Sequence, residues 1–201
     1  MSGDWVAERR RGAVRALRSA ISATDLEHSR PAFGWRVRPA VGSILGSPVP
    51  ARWDPDPDYF HHWVRDAAMA VRVFPQVFEA VEPDERPWWE QAFRDHVRFS
   101  LAISDPDRRG PDVNPLAATT RPDHARFLRP DAELRALTGA AWLEEPRCAI
   151  DGGPDVERWN RPQDDGPALR ASACLAVIGA RPDLADGQVE TLLRRGGTAS
   201  R

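Results

Sequence analysis

Apolar residues recur at helical spacing along most of this chain. Between residues 58 and 74 they fall three or four positions apart and therefore share one face of a helix. They are Phe60, Trp63, Val64, Ala67, Ala68, Val71 and Phe74. So wide a stripe predicts a well-buried helix over residues 58–74. Pro75 is expected to end or kink this helix.

The same spacing predicts helices on both sides of this segment. Residues 4–21 have an apolar stripe on one face and arginines on the other. Such a basic helix can lie on a membrane surface, but its narrow, alanine-rich stripe favours packing on a neighbouring helix. A further helix is expected to begin at Asp84, with Pro87 in its first turn, and to stop at Asp105-Pro106.

Residues 105–160 are predicted to form a long irregular loop, because Pro and Gly recur there and only residues 131–138 have helical spacing. Asp165 is expected to cap the next helix, which has Pro167 in its first turn. This helix is apolar nearly all round, so we expect it to be fully buried. A last short helix is predicted over residues 182–197.

Helix thus follows helix, and short extended pieces are predicted only between residues 29 and 57. The sequence has no alternation of strands with helices and no repeat of fixed period, which favours an all-α fold. A length of 201 residues suits one ordinary domain.

Composition excludes several classes of protein. The formal net charge of −2 gives no electrostatic case for a nucleic-acid partner. There is no apolar signal region and no apolar run of membrane-spanning length, so we expect a cytoplasmic protein without a membrane partner. Cys148 and Cys174 match no metal-binding spacing, and Cys174 is predicted to be a buried thiol.

The predicted central helix also carries charges. Arg65 and Asp66 are adjacent in a stretch predicted to be buried, where each charge requires a partner. Two interpretations are open: a structural ion pair, or contacts with a ligand that has many hydroxyl groups. The eight tryptophans of the chain allow two interpretations as well, because indole rings fill cores and also face sugar rings.

A first motif consists of PDYF at residues 57–60, followed by Trp63 and then by Arg65-Asp66. It resembles an active-site segment of glycoside hydrolase family 15, the glucoamylases. Together with the second motif, which follows in the family's order, the likeness spans most of residues 54–180.

The second motif combines a tryptophan with RPQ and DGPALRA. Here these are Trp159, residues 161–163 and residues 165–171. Asn160 stands where the family has glycine, which is a departure beside Trp159. Residues 103–106 (ISDP) also resemble a helix end of the family.

The resemblance implies an (α/α)6 toroid, a ring of six inner and six outer helices. Residues 1–201 would be the amino-terminal portion of a single catalytic domain of this type. Only the first four or five helices of the ring would be present, so the expected fold is an incomplete toroid.

The resemblance further implies a site for the non-reducing end of an α-glucan or malto-oligosaccharide, without a metal or cofactor. Arg65 and Asp66 would hold sugar hydroxyls, since a guanidinium donates in a fixed fork and a carboxylate accepts. Tyr59 matches a tyrosine beside the catalytic base, and Trp63 and Trp159 match aromatic residues of the innermost subsites. The implied substrate-binding residues are Tyr59, Trp63, Arg65, Asp66, Trp159, Arg161 and Asp165.

No catalytic acid or base is assigned in this chain. Inverting glycosidases, such as those of the family, place two carboxyl groups about 6.5–9.5 Å apart around the scissile bond. The family's acid lies in a Trp-Glu-Glu segment well beyond the RPQ motif, and no such segment follows here. Glu190 is expected on a solvated helix face. We therefore expect no hydrolysis by this chain alone.

Three other interpretations of polar pairs have less support. His61-His62 with Asp66 is a poor metal set, because adjacent helical residues point about 100° apart. Glu144-Glu145 is expected to be solvated, as sequence neighbours on a loop typically are. The neighbouring Asp95 and His96 have no nucleophile nearby in the pattern.

The sequence predicts a hydrolase of the glucoamylase type, which releases glucose from non-reducing ends with inversion. Trehalase and glucodextranase are alternatives within the family. A truncated, non-catalytic remnant that binds glucan is a second alternative. A helical interaction module without a sugar site is a third. In any case, an incomplete toroid is expected to leave apolar helix faces exposed, through which the chain could associate.

Overall fold

The structure is a computed structural model that describes residues 3–49, 59–159, 163 and 165–197. Within these ranges it contains helices α1 (Gly3–Ala20), α2 (Val64–Arg72), α3 (Phe74–Ala80), α4 (Arg86–Ile103), α5 (Asp131–Arg135), α6 (Ala140–Leu143), α7 (Gly166–Ala180) and α8 (Gly187–Gly197). Its strands are β1 (His28–Arg30), β2 (Trp35–Val37), β3 (His61–Trp63) and β4 (Arg147–Ala149). Short 3₁₀ turns cover Pro31–Phe33, Ala125–Phe127 and Pro182–Leu184.

Helices dominate the described residues, so the predicted all-α class is confirmed. Five of these helices, α1, α2, α4, α7 and α8, have nine or more residues. This number agrees with the partial toroid expected from the sequence. The strands form two small antiparallel sheets, β1–β2 and β3–β4, which hold loops in place.

The main core lies where α2, α4 and α7 meet, with α8 closing one side. The backbone of α7 approaches the start of α2 closely at Gly166. A Cβ atom at this glycine would lie 3.0 Å from Val64 Cγ1, so a larger residue would push the two helices apart. The largest buried contributions to this core come from Phe74, Trp89, Phe93, Leu184 and Leu192.

The helix predicted over residues 58–74 is wrong at its start. His61–Trp63 form β3, and the antiparallel register with β4 places Trp63 opposite Arg147. Trp63 has extended backbone angles (φ −87°, ψ 121°), so α2 begins only at Val64. All three residues of β3 are buried, and buried aromatic residues at consecutive positions imitate the wide stripe of a helix.

The other predicted boundaries agree more closely with the structure. The expected break at Pro75 is confirmed, because α2 ends at Arg72 and Pro75 lies in the first turn of α3. The described part of the predicted loop, residues 105–159, is mostly irregular, with α5, α6 and β4 as short ordered pieces. Of the extended pieces expected between residues 29 and 57, β2 is present, whereas its partner β1 begins outside that range, at His28.

Full burial of α7 was expected and is wrong. Ala173, Cys174 and Val177 are buried, whereas Leu175 on the opposite face is 54% exposed. Met69 on α2 is similarly exposed. Among the described residues, no helix has both the length and the apolar character that crossing a membrane requires.

Candidate functional site

Three aromatic side chains, Tyr59, Trp63 and Trp159, form a cluster that we call the aromatic wall. The rings of Tyr59 and Trp63 stack, with centroids 5.6 Å apart and an interplanar angle of 28°. The centroids of Trp63 and Trp159 are 5.2 Å apart, at an angle of 54°. The two motifs of the sequence therefore meet in space at their tryptophans.

Gly46 allows the chain before β3 to approach this wall. Its backbone N–H donates to the carbonyl of His61 at 3.1 Å. A Cβ atom at position 46 would lie 2.9 Å from Trp63 Cδ1 and 3.1 Å from the carbonyl oxygen of Tyr59. A side chain here would therefore displace Trp63, which makes Gly46 a site residue that the sequence analysis missed.

Arg147 lies behind the wall because the β3–β4 register places it opposite Trp63. Its Cζ atom is 5.1 Å from the ring centroid of Trp63 and 4.8 Å from that of Trp159. Cation–π contacts are worth about 2 kcal/mol when they are desolvated. The guanidinium of Arg147 therefore joins the two indole rings.

Arg147 belongs to a group that we call the charge cluster: Arg30, Arg147, Asp155 and Glu157. Asp155 accepts a hydrogen bond from Arg147 Nε at 2.7 Å and another from Trp159 Nε1 at 2.5 Å. Glu157 accepts from Arg147 Nη2 at 2.8 Å and pairs with Arg30. The side chains of Arg147 and Asp155 are 3% and 0% exposed, so their charges depend on each other.

One group with metal-binding chemistry overlaps this cluster. Potential ligand atoms of His61, Asp155 and Glu157 lie within 4.8 Å of one another. Both carboxylates are already neutralised by the guanidiniums of Arg30 and Arg147, with which a divalent cation would have to compete. The arrangement favours a structural charge cluster over a metal centre.

Arg65, Asp66 and Asp165 form the second part of the site, which we call the polar end. Nη2 and Nε of Arg65 donate to Oδ1 of Asp165, at 2.8 Å and 3.2 Å. The two side chains are 44% and 49% exposed, and such surface pairs contribute about 0–1 kcal/mol. Asp66 is exposed in the first turn of α2, where the helix dipole favours a negative charge.

Two expectations about the polar end are corrected by these contacts. Arg65 and Asp66 were expected to be buried, but both side chains are exposed, because they lie on the face of α2 opposite to its buried residues. Asp165 is the N-cap residue of α7 as predicted, yet its side chain bonds Arg65 and makes no capping hydrogen bond. Arg161, the remaining predicted site residue, lies outside the described residues.

Two buried histidines, His62 and His96, lie close together beneath β3, with ring centroids 5.9 Å apart. Burial lowers the pKa of His62 and lowers the pKa of His96 to about 4. The carbonyl of Gly42 can only accept, so the ring proton of neutral His96 lies on Nδ1 and donates to it at 3.3 Å. His96 Nε2 then accepts from the hydroxyl of Ser100, also at 3.3 Å. These contacts hold the histidine rings within the fold, and none of them links His62 or His96 to a residue of the polar end.

The thiols and the other acids considered in the sequence also have structural settings. Cys174 is a buried free thiol as predicted, and burial raises the pKa of Cys148 to about 12 and that of Cys174 to about 11. Glu145 accepts two hydrogen bonds of 2.8 Å from Arg129, whereas Glu144 is exposed. Glu144 and Glu145 therefore do not act as a pair.

Comparison with known proteins gives relatives of one kind. No family model matches the chain. It is 28% identical to Glucoamylase-1 of Arthroderma benhamiae over 142 residues, which are 71% of this chain and 18% of that protein. It is 27% identical to the intracellular sporulation-specific glucoamylase of Saccharomyces cerevisiae over 137 residues, 68% of this chain and 19% of that protein. The matched region is thus about a fifth of the length of these relatives.

Solved structures show the same likeness in fold. The glucoamylase of Hormoconis resinae matches 98% of this chain with a TM-score of 0.60 and 19% identity, over 28% of its own length. The family 15 glucoamylase of Hypocrea jecorina matches 79% of this chain with a TM-score of 0.52 and 19% identity, over 22% of its own length. The resemblance predicted from the two motifs is confirmed: this chain is a distant homologue of the glucoamylases of glycoside hydrolase family 15 and shares part of their fold.

Proposed function

We propose that this chain is the sugar-binding part of a glucoamylase-like glycoside hydrolase and that its site holds the non-reducing end of an α-glucan. One observation carries the proposal. The two motifs meet at two points, Trp63 with Trp159 and Arg65 with Asp165, although Arg65 and Asp165 are 100 residues apart in sequence. An aromatic surface beside a guanidinium and a carboxylate is the chemistry that a sugar ring with several hydroxyls requires.

Each part of the site has a separate role in this proposal. Half-exposed Tyr59 and partly exposed Trp159 present the apolar surface to the sugar, and buried Trp63 supports both rings from behind. Asp66 accepts from two hydroxyls, since it has no hydrogen-bond or ion-pair partner among the described residues. Arg65 donates to a third hydroxyl from the fork that now engages Asp165.

We propose binding without hydrolysis by this chain alone. Inversion needs an acid and a base about 6.5–9.5 Å apart, and each proton transfer is typically worth about 10²–10⁴-fold. Two acids outside the site, Glu145 and Glu190, were considered in the sequence analysis, and both are poor candidates for such a pair. Glu145 is bound to Arg129, and Glu190 is exposed on α8 beside Arg194. An α-glucan is favoured over trehalose or dextran as the ligand because the relatives are glucoamylases.

The experiment is a titration of intrinsic tryptophan fluorescence with maltotriose, with β-linked cellotriose as the control sugar. We expect a saturable change with maltotriose alone. Asp66→Asn should weaken binding about 10–100-fold, because it removes a charge-assisted acceptor. Glu79→Gln, at an exposed acid on α3, should leave binding unchanged. Equal binding by wild type and Asp66→Asn would contradict the proposed role of this carboxylate.

Catalysis is tested separately by glucose release from soluble starch at high protein concentration. We expect no turnover above the background of an Asp66→Asn sample. Steady release that vanishes in the variant would show that the chain contains a catalytic pair, and the proposal of binding alone would be wrong.

A helical interaction module is the second candidate function, and exposed apolar side chains favour it. Trp5 on α1, Met69 on α2 and Leu175 on α7 are 63%, 53% and 54% exposed. We propose that these faces allow weak association. Sedimentation velocity over a hundredfold range of protein concentration should then show a rising average mass. A constant monomer mass would remove this candidate.

A further inference from the structure

A small cavity adjoins the charge cluster, since Arg147 and Asp155 are among its lining residues. Its volume is about 20 Å³, measured as the space open to the centre of a water-sized sphere. A single water needs about 10–15 Å³ by this measure, so one or two water-sized particles fit. Its polar lining comes from Ser104, Glu145, Arg147, Cys148, Asp155 and Arg170.

Arg170 is the unusual member of this lining. It comes from the first half of α7 and is only 4% exposed. Among the described residues, no carboxylate or carbonyl accepts a hydrogen bond from it. A buried guanidinium remains charged, so it requires a counter-charge that this part of the chain does not supply.

The other buried arginines around the cavity differ from Arg170 in this respect. Arg147 is neutralised by Asp155, and Arg129 is neutralised by Glu145. Arg30 shares Glu157 with Arg147. Glu133 is a second carboxylate partner of Arg129, at 3.4 Å. Of these four described guanidiniums, Arg170 alone therefore has no carboxylate partner.

The surroundings of Arg170 do not compensate its charge. Burial lowers the pKa of Arg170, and the positive charge of Arg195 acts in the same direction. Cys148 and Cys174 are neutral thiols at ordinary pH, because burial raises the pKa of each to about 12 and about 11. The only groups that offset the burial of Arg170 are therefore uncharged under ordinary conditions.

A second hydrogen-bond donor near Arg170 also lacks a partner. His62 Nδ1 accepts from the backbone N–H of Ile44 at 3.0 Å, so the ring proton of neutral His62 lies on Nε2. This Nε2 atom is buried and has no hydrogen-bond partner within the described part of the chain. The charge of Arg170 contributes to the lowered pKa of His62, which shows that the two groups are close.

We propose that this cavity binds one small monovalent anion of the size of chloride, which serves as the counter-charge of Arg170. The unpaired guanidinium calls for an anion, and the small volume of about 20 Å³ favours a monatomic one. The site is distinct from the proposed sugar site, because the cavity is lined by neither Arg65 nor Asp66. No bond is made or broken; the anion stabilises the contact between α7 and the loop before β4.

The first test is thermal unfolding of the protein at constant ionic strength, with chloride or bromide exchanged for sulfate. At a chloride concentration about 100-fold above the dissociation constant, the melting temperature should rise by about 5–10 °C. Arg170→Met should abolish the difference between the salts. Arg72→Met, at an exposed arginine that also contacts α7, should retain it. A melting temperature that does not depend on the halide would overturn the proposal.

The second test does not depend on the folding of a variant. Crystals of the unaltered protein soaked in sodium bromide should show an anomalous-scattering peak within hydrogen-bond distance of the Arg170 guanidinium. A peak there supports the proposal together with the halide-dependent melting. An ordered water in the cavity without a bromide peak would mean that Arg170 is merely hydrated, and the anion site would be wrong.

Discussion

The aromatic wall is backed by buried charges, whereas the polar end, only two residues further along the chain, faces solvent. Trp159 is held by Asp155, and Asp155 is held by Arg147, whose side chain is 3% exposed. Arg65 and Asp165 are 44% and 49% exposed and share one surface ion pair. Neighbouring parts of one candidate site therefore differ strongly in how firmly they are fixed.

This difference suggests how the two parts share the work of binding. A wall fixed by packing and buried ion pairs costs little ordering when a sugar ring arrives, which is the benefit of preorganisation. The exposed carboxylate of Asp66 exchanges hydrogen bonds with water for hydrogen bonds with hydroxyls. Substitutions in the wall should therefore affect stability first, and substitutions in the polar end should affect binding first.

The largest expected effect is that of Arg147→Met. The substitution leaves Asp155 buried without its main partner, and breaking a buried pair in this way costs about 3–5 kcal/mol. The free energy of unfolding, measured with urea, should fall by that amount. A loss below about 1 kcal/mol would mean that the charge cluster does not support the wall.

The next largest effect is a dependence of the free energy of unfolding on pH, which arises from the buried His96. The pKa of His96 falls from 6.5 in the unfolded chain to about 4 in the folded protein, because burial and the charge of Arg170 disfavour the imidazolium. The unfolded state then binds more protons than the folded state between these values. Stability is fully present above pH 6.5 and is lost as the pH falls towards 4, by about 3 kcal/mol.

His96→Gln is the control for this prediction, since glutamine can still donate to the carbonyl of Gly42. Unfolding free energies of both proteins should be compared at several pH values. We expect the wild type to lose about 3 kcal/mol more than the variant between pH 6.5 and 4. Parallel curves would show that His96 titrates normally.

A smaller effect is expected for Gly46→Ala. The new Cβ would lie 2.9 Å from Trp63 Cδ1, and forcing such contacts typically costs about 1–3 kcal/mol. Maltotriose binding should weaken as well, because Trp63 has to move. Gly179→Ala on α7 is the matched control: no atom lies within 4 Å of its Cβ, and it should stabilise the helix by about 0.5–1 kcal/mol. Equal effects of the two substitutions would contradict the close contact at Gly46.

The smallest effect on stability is expected for Arg65→Met. The exposed pair with Asp165 contributes at most about 1 kcal/mol, so urea unfolding should change little. Maltotriose binding should nevertheless weaken about 10-fold or more, since a charged donor to a hydroxyl is lost. A variant that is strongly destabilised, or that binds as the wild type does, would erase the difference between the wall and the polar end.

The sequence predicted much of the helical framework because that framework depends on local patterns. The breaks at Pro75 and before Gly166 follow from proline and aspartate at helix starts, and Trp63 and Trp159 follow from two long motifs. β3 was missed because burial on both faces gives consecutive aromatic residues, which helical spacing also accommodates.

The charge cluster and the anion cavity could not be predicted from local patterns. Arg147 reaches the wall only through the β3–β4 register, and Gly46 becomes important only through a contact with Trp63. The sequence did contain a signal for Arg170, because this charged residue lies in a helix whose apolar composition predicted burial on nearly all faces. Its lack of a carboxylate is a property of the packed structure alone.

The most direct measurement uses Tyr59, which is the single tyrosine of the chain and is stacked on Trp63. In protein labelled with ¹³C at tyrosine, its ring signals report on the site without ambiguity. The proposed sugar site predicts a saturable shift of these signals with maltotriose, no shift with cellotriose, and loss of the shift in Asp66→Asn. Tyr59 signals that stay unchanged at saturating maltotriose, in a protein whose wall is intact, would contradict it.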